Sequence, residues 1–292
     1  LLENAPSTLH LIISTRSDPP LALARLRARG LLAELRAADL RFRDEEVSEL
    51  FKSEAQELST ENLSLLSEKT EGWVAGLQIV RNSLAGQNAV AAREIISSLS
   101  GSHRFVFEYL ADEVFKRLSE EKQNFLLRTA ILSQMDSASC NSIAGVKNSQ
   151  DILEDLERQN LFLTSLDSDR RWYRYHFLFR EFLLSRLRRE FADQVEALEK
   201  SAGTYYEANS EWEASFLHFV AAQDFKSAAR VALKFASDYV ERGRVEVLHR
   251  YLNMLPVEVM RSCPELLLQH GNAHRRLGEA GLATTAYEDA RL

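Results

Sequence analysis

Two short extended runs, Leu161 to Leu166 and Arg171 to Tyr175, flank Asp167-Ser168-Asp169-Arg170 in a stretch whose other elements read as helices. A polar turn between two such runs is a hairpin signal. Before it, Phe105, Phe107, Leu110, Val114 and Leu118 mark one helix, and Phe125, Leu126 and Ile131 a second. Short helices are expected near Ser139 to Ala144 and Ser149 to Arg158, and Phe177 to Glu190 continues as a helix with a basic end that suits its dipole. Helices followed by one hairpin in this order read as a winged helix, assigned to residues 101–190. The element in the recognition position carries Asp151, Glu154, Asp155 and Glu157 against one base, Arg158. Phosphate contacts require the opposite balance, so this winged helix is not expected to bind DNA.

Upstream, Leu9 to Pro20 reads Leu-His-Leu-Ile-Ile-Ser-Thr-Arg-Ser-Asp-Pro-Pro. A short Leu/Ile run suits a strand buried on both faces of a parallel sheet, and Pro19 and Pro20 forbid its continuation. Such sheets bind ligands at the carboxyl ends of their strands. There Arg16 either meets an anion or is a solvated surface residue. A short basic helix that stops near Gly30 follows, then a more polar edge strand over Glu34 to Phe42, with Arg36, Arg41 and Arg43 on a solvated face. No phosphate loop of the form G-x-x-x-x-G-K-[ST] occurs in the sequence. Residues 1–43 therefore read as the C-terminal remnant of an α/β nucleotide-binding sheet. Leu1 in place of Met, and a helical pattern running up to Leu292, suggest that both ends are internal to a longer protein.

Residues 44–100 read as a helical subdomain. Asp44-Glu45-Glu46 places acids in a first helical turn, and a second helix is expected from about Ser59 to Ser67. Gly72 and Gly76 lie four apart, which in a helix makes one smooth face. Trp73 between them serves either a helix contact or a ligand contact. The stretch from Ala85 to Ser100 reads as loose. From 191 to 292 the pattern is helical throughout. Tyr205, Tyr206, Trp212, Ala214, His218, Ala228, Ala229, Ala273 and Ala286 alternate small and aromatic positions, as paired helices of a TPR-like α-solenoid do. The fold class is thus mostly α and multidomain.

Composition excludes several classes. Hydrophobic content of 45% and charged content of 27% are those of a globular chain. The formal charge of −7 argues against this stretch as the main nucleic-acid binder. Cys140 and Cys263 are far apart and offer neither a disulfide framework nor a metal site; they point to a reducing, cytoplasmic setting. No run reaches the length of a membrane span, so no membrane partner is expected.

His176 stands where the second hairpin run meets a helix start, where free N–H groups favour an anion. Arg180, one turn later, could share it. The other reading packs His176 on Trp172 or Tyr175.

The stretches "LIISTRSDPPLALARLRARGLLAELRAADLRF", "TEGWVAGLQIV", "YHFLFREFLLSRL" and "WEASFLHFVAAQDFKSAARV" resemble one family along nearly the whole chain. It is the large ATP-dependent LuxR-type transcriptional regulators, within the STAND class of signalling ATPases. The resemblance implies that Arg16 is the arginine that senses the terminal phosphate of ATP. It implies that Gly72, Trp73 and Val74 belong to a motif near the adenine, with Val74 where related ATPases often carry proline. It implies that His176 reaches the β-phosphate of ADP in the resting state. It further implies ATP/ADP with Mg as ligands of the whole protein, self-association, an inducer or regulatory protein on the solenoid, and DNA binding through a domain outside this chain. The phosphate loop would lie upstream, so this stretch alone is expected neither to hydrolyse ATP nor to hold nucleotide tightly. A solenoid scaffold with a degenerate nucleotide module, or a related signalling ATPase with another output domain, is the alternative.

Overall fold

A computed structural model gives the architecture. It describes residues 6, 8–15, 18–52, 58–85, 87–99 and 104–291. Helices run α1 (Leu23–Ala28), α2 (Asp44–Phe51), α3 (Thr60–Thr70), α4 (Val74–Leu84), α5 (Ala89–Ser97), α6 (Arg104–Tyr109), α7 (Glu120–Thr129), α8 (Ser137–Ala144) and α9 (Ser149–Arg158). Strands β1 (Leu163–Ser165) and β2 (Tyr173–Tyr175) follow. Then come α10 (Phe177–Glu190), α11 (Ala192–Ala208), α12 (Trp212–Ala221), α13 (Phe225–Glu241), α14 (Val245–Leu252), α15 (Val257–Arg261), α16 (Pro264–Arg276) and α17 (Ala280–Asp289). The chain forms two compact units, one from residues 1–119 and 150–182, the other from 120–149 and 183–292. The winged-helix elements contribute to both.

In the first unit the expected sheet remnant is absent among the described residues. Leu9 to Ile13 forms no strand, and Ile12 is 94% exposed. Glu34 to Phe42 forms none either, and the one sheet described is the β1–β2 pair. An apolar run becomes a parallel strand only when neighbours satisfy its N–H and C=O groups on both sides, and no described segment does so. The arginines assigned to a solvated face divide: Arg36 pairs with Glu34 and Asp18, Arg41 with Glu71, and Arg43 is exposed. The short helix before Gly30 is present as α1, and Gly30 has φ +67°.

The helical subdomain has a clear local logic. Ser59 caps α3 by accepting the Asn62 N–H at 3.2 Å. Glu71 (φ 48°) and Gly72 (φ 70°) then take left-handed conformations and end it. Gly72 and Gly76 therefore do not share a helix face: Gly72 lies in the turn, and only Gly76 is on α4. Ala89 to Ser97, expected to be loose, is helix α5. Asn88 caps it at 2.9 Å, and Lys69 donates to the carbonyls of Ser97 and Leu99 at its far end. Val47, Phe51, Leu66, Leu77, Val80 and Ile96 form the buried side of this region.

After α6 a π-helical turn (Leu110–Val114) and a 3-10 turn (Phe115–Arg117) interrupt what reads in sequence as one helix. They bring Phe115 as well as Phe107 against Phe182, with ring centroids 5.8 and 4.9 Å away. The hairpin is antiparallel, pairing Leu163 with Tyr175, Thr164 with Arg174 and Ser165 with Tyr173. Asp167 Oδ1 holds its turn by accepting from the N–H groups of Arg171 (2.9 Å) and Trp172 (3.0 Å).

In the second unit Asp136 caps α8, accepting the Ser139 N–H at 2.8 Å while Ser139 Oγ accepts the Asp136 N–H at 3.0 Å. Gly145 (φ 72°) ends it. Asp136→Ala is expected to lower the unfolding free energy by about 0.5–2 kcal/mol in urea titration; an unchanged midpoint would show that water replaces the cap. From α11 onward the helices pack on near neighbours in the chain, α12 on both α11 and α13, and α16 on α13, α14 and α17. Small residues under aromatic rings allow the approach. A Cβ on Gly203 would lie 2.8 Å from Phe219, and one on Gly271 2.5 Å from Tyr287. Phe216, Phe235, Leu248, Leu252 and Leu266 fill the core of this array with Ala228, Ala232 and Ala273.

Candidate functional site

A concentrated polar arrangement in the first unit joins the α3–α4 turn to the junction of β2 with α10. Glu71 leaves the end of α3 in a left-handed conformation that aims its carboxylate at this junction. Arg174, in the middle of β2, donates both guanidinium NH2 groups to it at 2.8 and 2.9 Å. The Phe177 N–H, at the start of α10, donates to Glu71 Oε1 at 2.9 Å, and Arg41 adds a contact at 3.2 Å. Burial alone would raise the Glu71 carboxyl. The Arg174 hydrogen bonds, the nearby His176 and the Phe177 N–H outweigh burial and bring it down to about 2.

His176 is 3% exposed. Its Nε2 lies 2.8 Å from the Thr70 carbonyl, which can only accept, so Nε2 carries the proton. Its Nδ1 then accepts the Leu178 N–H at 3.2 Å. Burial lowers its pKa despite Glu71 and the Thr70 carbonyl, which keeps the ring neutral at neutral pH. The charge help it gives Glu71 therefore applies only in acid.

Trp73 completes the arrangement. Its ring lies 5.4 Å from Tyr109, 5.1 Å from Phe162 and 6.1 Å from His176, mostly edge-on. His176 thus packs on Trp73 and Phe162 (5.7 Å), while Trp172 is 39% exposed.

Of the residues singled out from sequence, Gly72, Trp73 and His176 come together here. Val74 is next to them but 40% exposed. Arg180 follows His176 by one turn, its N–H bonded to the His176 carbonyl at 2.9 Å. Arg16 lies outside the described residues. The anion favoured at the α10 start is present, and it is the chain's own Glu71. Glu71, Arg174 and Arg41 escaped sequence reasoning. Only Glu71 left a signal, as the last residue before a helix-ending glycine. With both nitrogens of His176 and the Phe177 N–H engaged, an external phosphate can use these donors only by displacing Thr70 or Glu71.

Comparison with known proteins gives a consistent result. A family model described as the MalT winged helix domain matches residues 111–195. The HTH-type transcriptional regulator MalT of Serratia proteamaculans (strain 568) is 31% identical over 270 residues, covering 91% of this chain and 30% of that protein. The protein of the same name from Yersinia pestis (strain Pestoides F) is 32% identical over 91% of this chain and 30% of its own length. That from Vibrio cholerae serotype O1 is 28% identical over 92% and 30%. The chain spans about 30% of the length of these curated relatives.

Proposed function

We propose, from the premise that this chain is MalT-like along nine-tenths of its length, that it is the central part of a nucleotide-gated transcriptional regulator. In this reading the protein is closed with ADP and opens with ATP and an inducer. Residues 1–43 complete a nucleotide-binding domain in which Arg16 senses the γ-phosphate. The helices from 191 onward form a TPR-like solenoid that carries the inducer or a regulatory protein. The open form self-associates and binds DNA through a helix-turn-helix elsewhere in the protein, in a cytoplasmic setting. Among the described residues no helix is long and apolar enough to cross a membrane. The protein turns ATP over slowly, as a switch; the sequence here contains no phosphate loop.

The observation that carries this reading is the meeting of His176 with Thr70 and Trp73. These segments are 106 residues apart, and the family resemblance independently assigns both to the nucleotide. A ligand shifts a two-state protein only by binding the states unequally. A phosphate that draws the Nε2–H of His176 away from Thr70 would do so through the joint between wing and helical subdomain. The complete set of internal partners on His176 favours a second reading, an interaction scaffold in which this joint is only structural.

His176→Gln in the complete protein separates the two. If His176 bonds the β-phosphate, ADP affinity falls by roughly ten- to a hundred-fold, as expected for a lost hydrogen bond to a charged group, and the reporter gene responds to less inducer. If the residue only packs, nucleotide affinities are unchanged while the nucleotide-free melting temperature drops. That second pattern, measured by calorimetry and thermal melting, would overturn the gating role.

A further inference from the structure

Three histidines in the second unit converge without any part in the reading above. His270 and His274 stand four residues apart on α16, and so on one face of it. His249 comes from α14, which packs on α16. The ring centroids are 5.2 Å apart for His249–His270, 4.8 Å for His249–His274 and 4.3 Å for His270–His274. One nitrogen from each ring lies within 4.8 Å of the other two.

We propose that His249, His270 and His274 bind one divalent transition-metal ion of the zinc class, with the fourth position open to water. The distances suit it. Around tetrahedral zinc, with Zn–N of about 2.0–2.1 Å, two ligand nitrogens stand about 3.3–3.4 Å apart. His249 Nδ1 and His270 Nε2 are already 3.2 Å apart. The remaining edges need to close by no more than about 1.5 Å from the 4.8 Å limit.

The surroundings supply what ligating imidazoles need. His274 Nδ1 meets Glu279 Oε2 at 2.6 Å, which fixes the proton on Nδ1 and leaves Nε2 as the ligand atom. Asn253 Nδ2 lies 2.9 Å from His249 Nε2. In the metal-free state His249 therefore holds its proton on Nδ1 and shares it with His270. On binding, that proton moves to Nε2 and the Asn253 amide turns its oxygen to accept it, so no partner is left unpaired. Three imidazole nitrogens suit zinc, nickel or copper and leave hard ions such as Mg2+ or Ca2+ poorly served. A bound ion would tie α14 to α16 and stiffen this part of the helical array.

The test is titration of the full chain, stripped of metal, with Zn2+ by calorimetry and with Co2+ by visible absorption. The expected result is one ion per chain, the visible bands of four- or five-coordinate cobalt, and a rise in melting temperature with zinc. His249→Gln and His270→Gln, both at half-buried positions, should each weaken binding by at least ten-fold. Glu279→Gln, which touches only the outer nitrogen of His274, should weaken it by roughly ten- to a hundred-fold. His218→Gln, at a histidine paired with Glu199 on other helices, should leave binding unchanged. Absence of saturable one-to-one binding at millimolar Zn2+ would overturn the site, as would binding that survives both His249→Gln and His270→Gln. Circular dichroism melts establish that each variant is folded.

Discussion

Glu71→Gln is expected to lower stability by about 2–3 kcal/mol at neutral pH and to remove an acid-sensitive part of it. The neutral amide keeps the shape but gives up the charge that two guanidinium groups and a helix N-terminus converge on. Removing one member of a buried pair leaves the other uncompensated, at about 3–5 kcal/mol when both are buried. Here Glu71 is 14% exposed and Arg174 36%, so solvent screening reduces the figure. The pH dependence follows from the depressed carboxyl, from 4.5 to about 2. A carboxylate lowered on folding stabilises fully above its unfolded value and loses that contribution as pH falls through the folded one. The gap between the native chain and Glu71→Gln should therefore be widest above pH 5 and shrink between about 4.5 and 2. Urea unfolding at pH 7, 4 and 2.5 measures it. A gap that is the same at all three would show that the charge does not stabilise the fold.

Gly72→Ala is expected to destabilise by about 2–5 kcal/mol. At φ 70° an L residue carries a left-handed penalty of roughly 1–2 kcal/mol. In addition the new Cβ would lie 2.3 Å from the Phe42 carbonyl oxygen and 2.9 Å from its nitrogen. Those are backbone atoms, held by the Phe42 N–H to Gly72 carbonyl bond of 2.9 Å, and they cannot rotate away. Overpacking of this kind adds about 1–3 kcal/mol. Gly243 is the control. It has φ 74° and open space where the Cβ would stand, so Gly243→Ala should show the conformational penalty alone. Equal losses for the two variants in denaturant unfolding would mean that the approach of Phe42 contributes nothing. The same turn sets the course of Glu71 and Trp73.

What was legible in the sequence was local. The helix start at Ser59 follows from a cap oxygen meeting an N–H three residues on, as does that at Asp136, three residues ahead of the expected Ser139. The hairpin follows from one aspartate and short flanking runs, and the small-under-aromatic rhythm of the later helices from side-chain volume. Each cause acts within a few residues, so the chain itself carries it.

Tertiary structure decided the rest. Leu9 to Ile13 has the composition of a buried strand, yet its fate depends on neighbouring strands that the pattern cannot supply. Gly72 and Gly76 have helical spacing, yet a left-handed turn separates their roles. Arg174 reads as one base in a polar hairpin until Glu71, 103 residues earlier, meets it. His249 carries no sign in sequence of His270 and His274. Charges and imidazoles act over a few ångströms in space whatever their separation along the chain, so only the packing of helices and strands can bring them into one site.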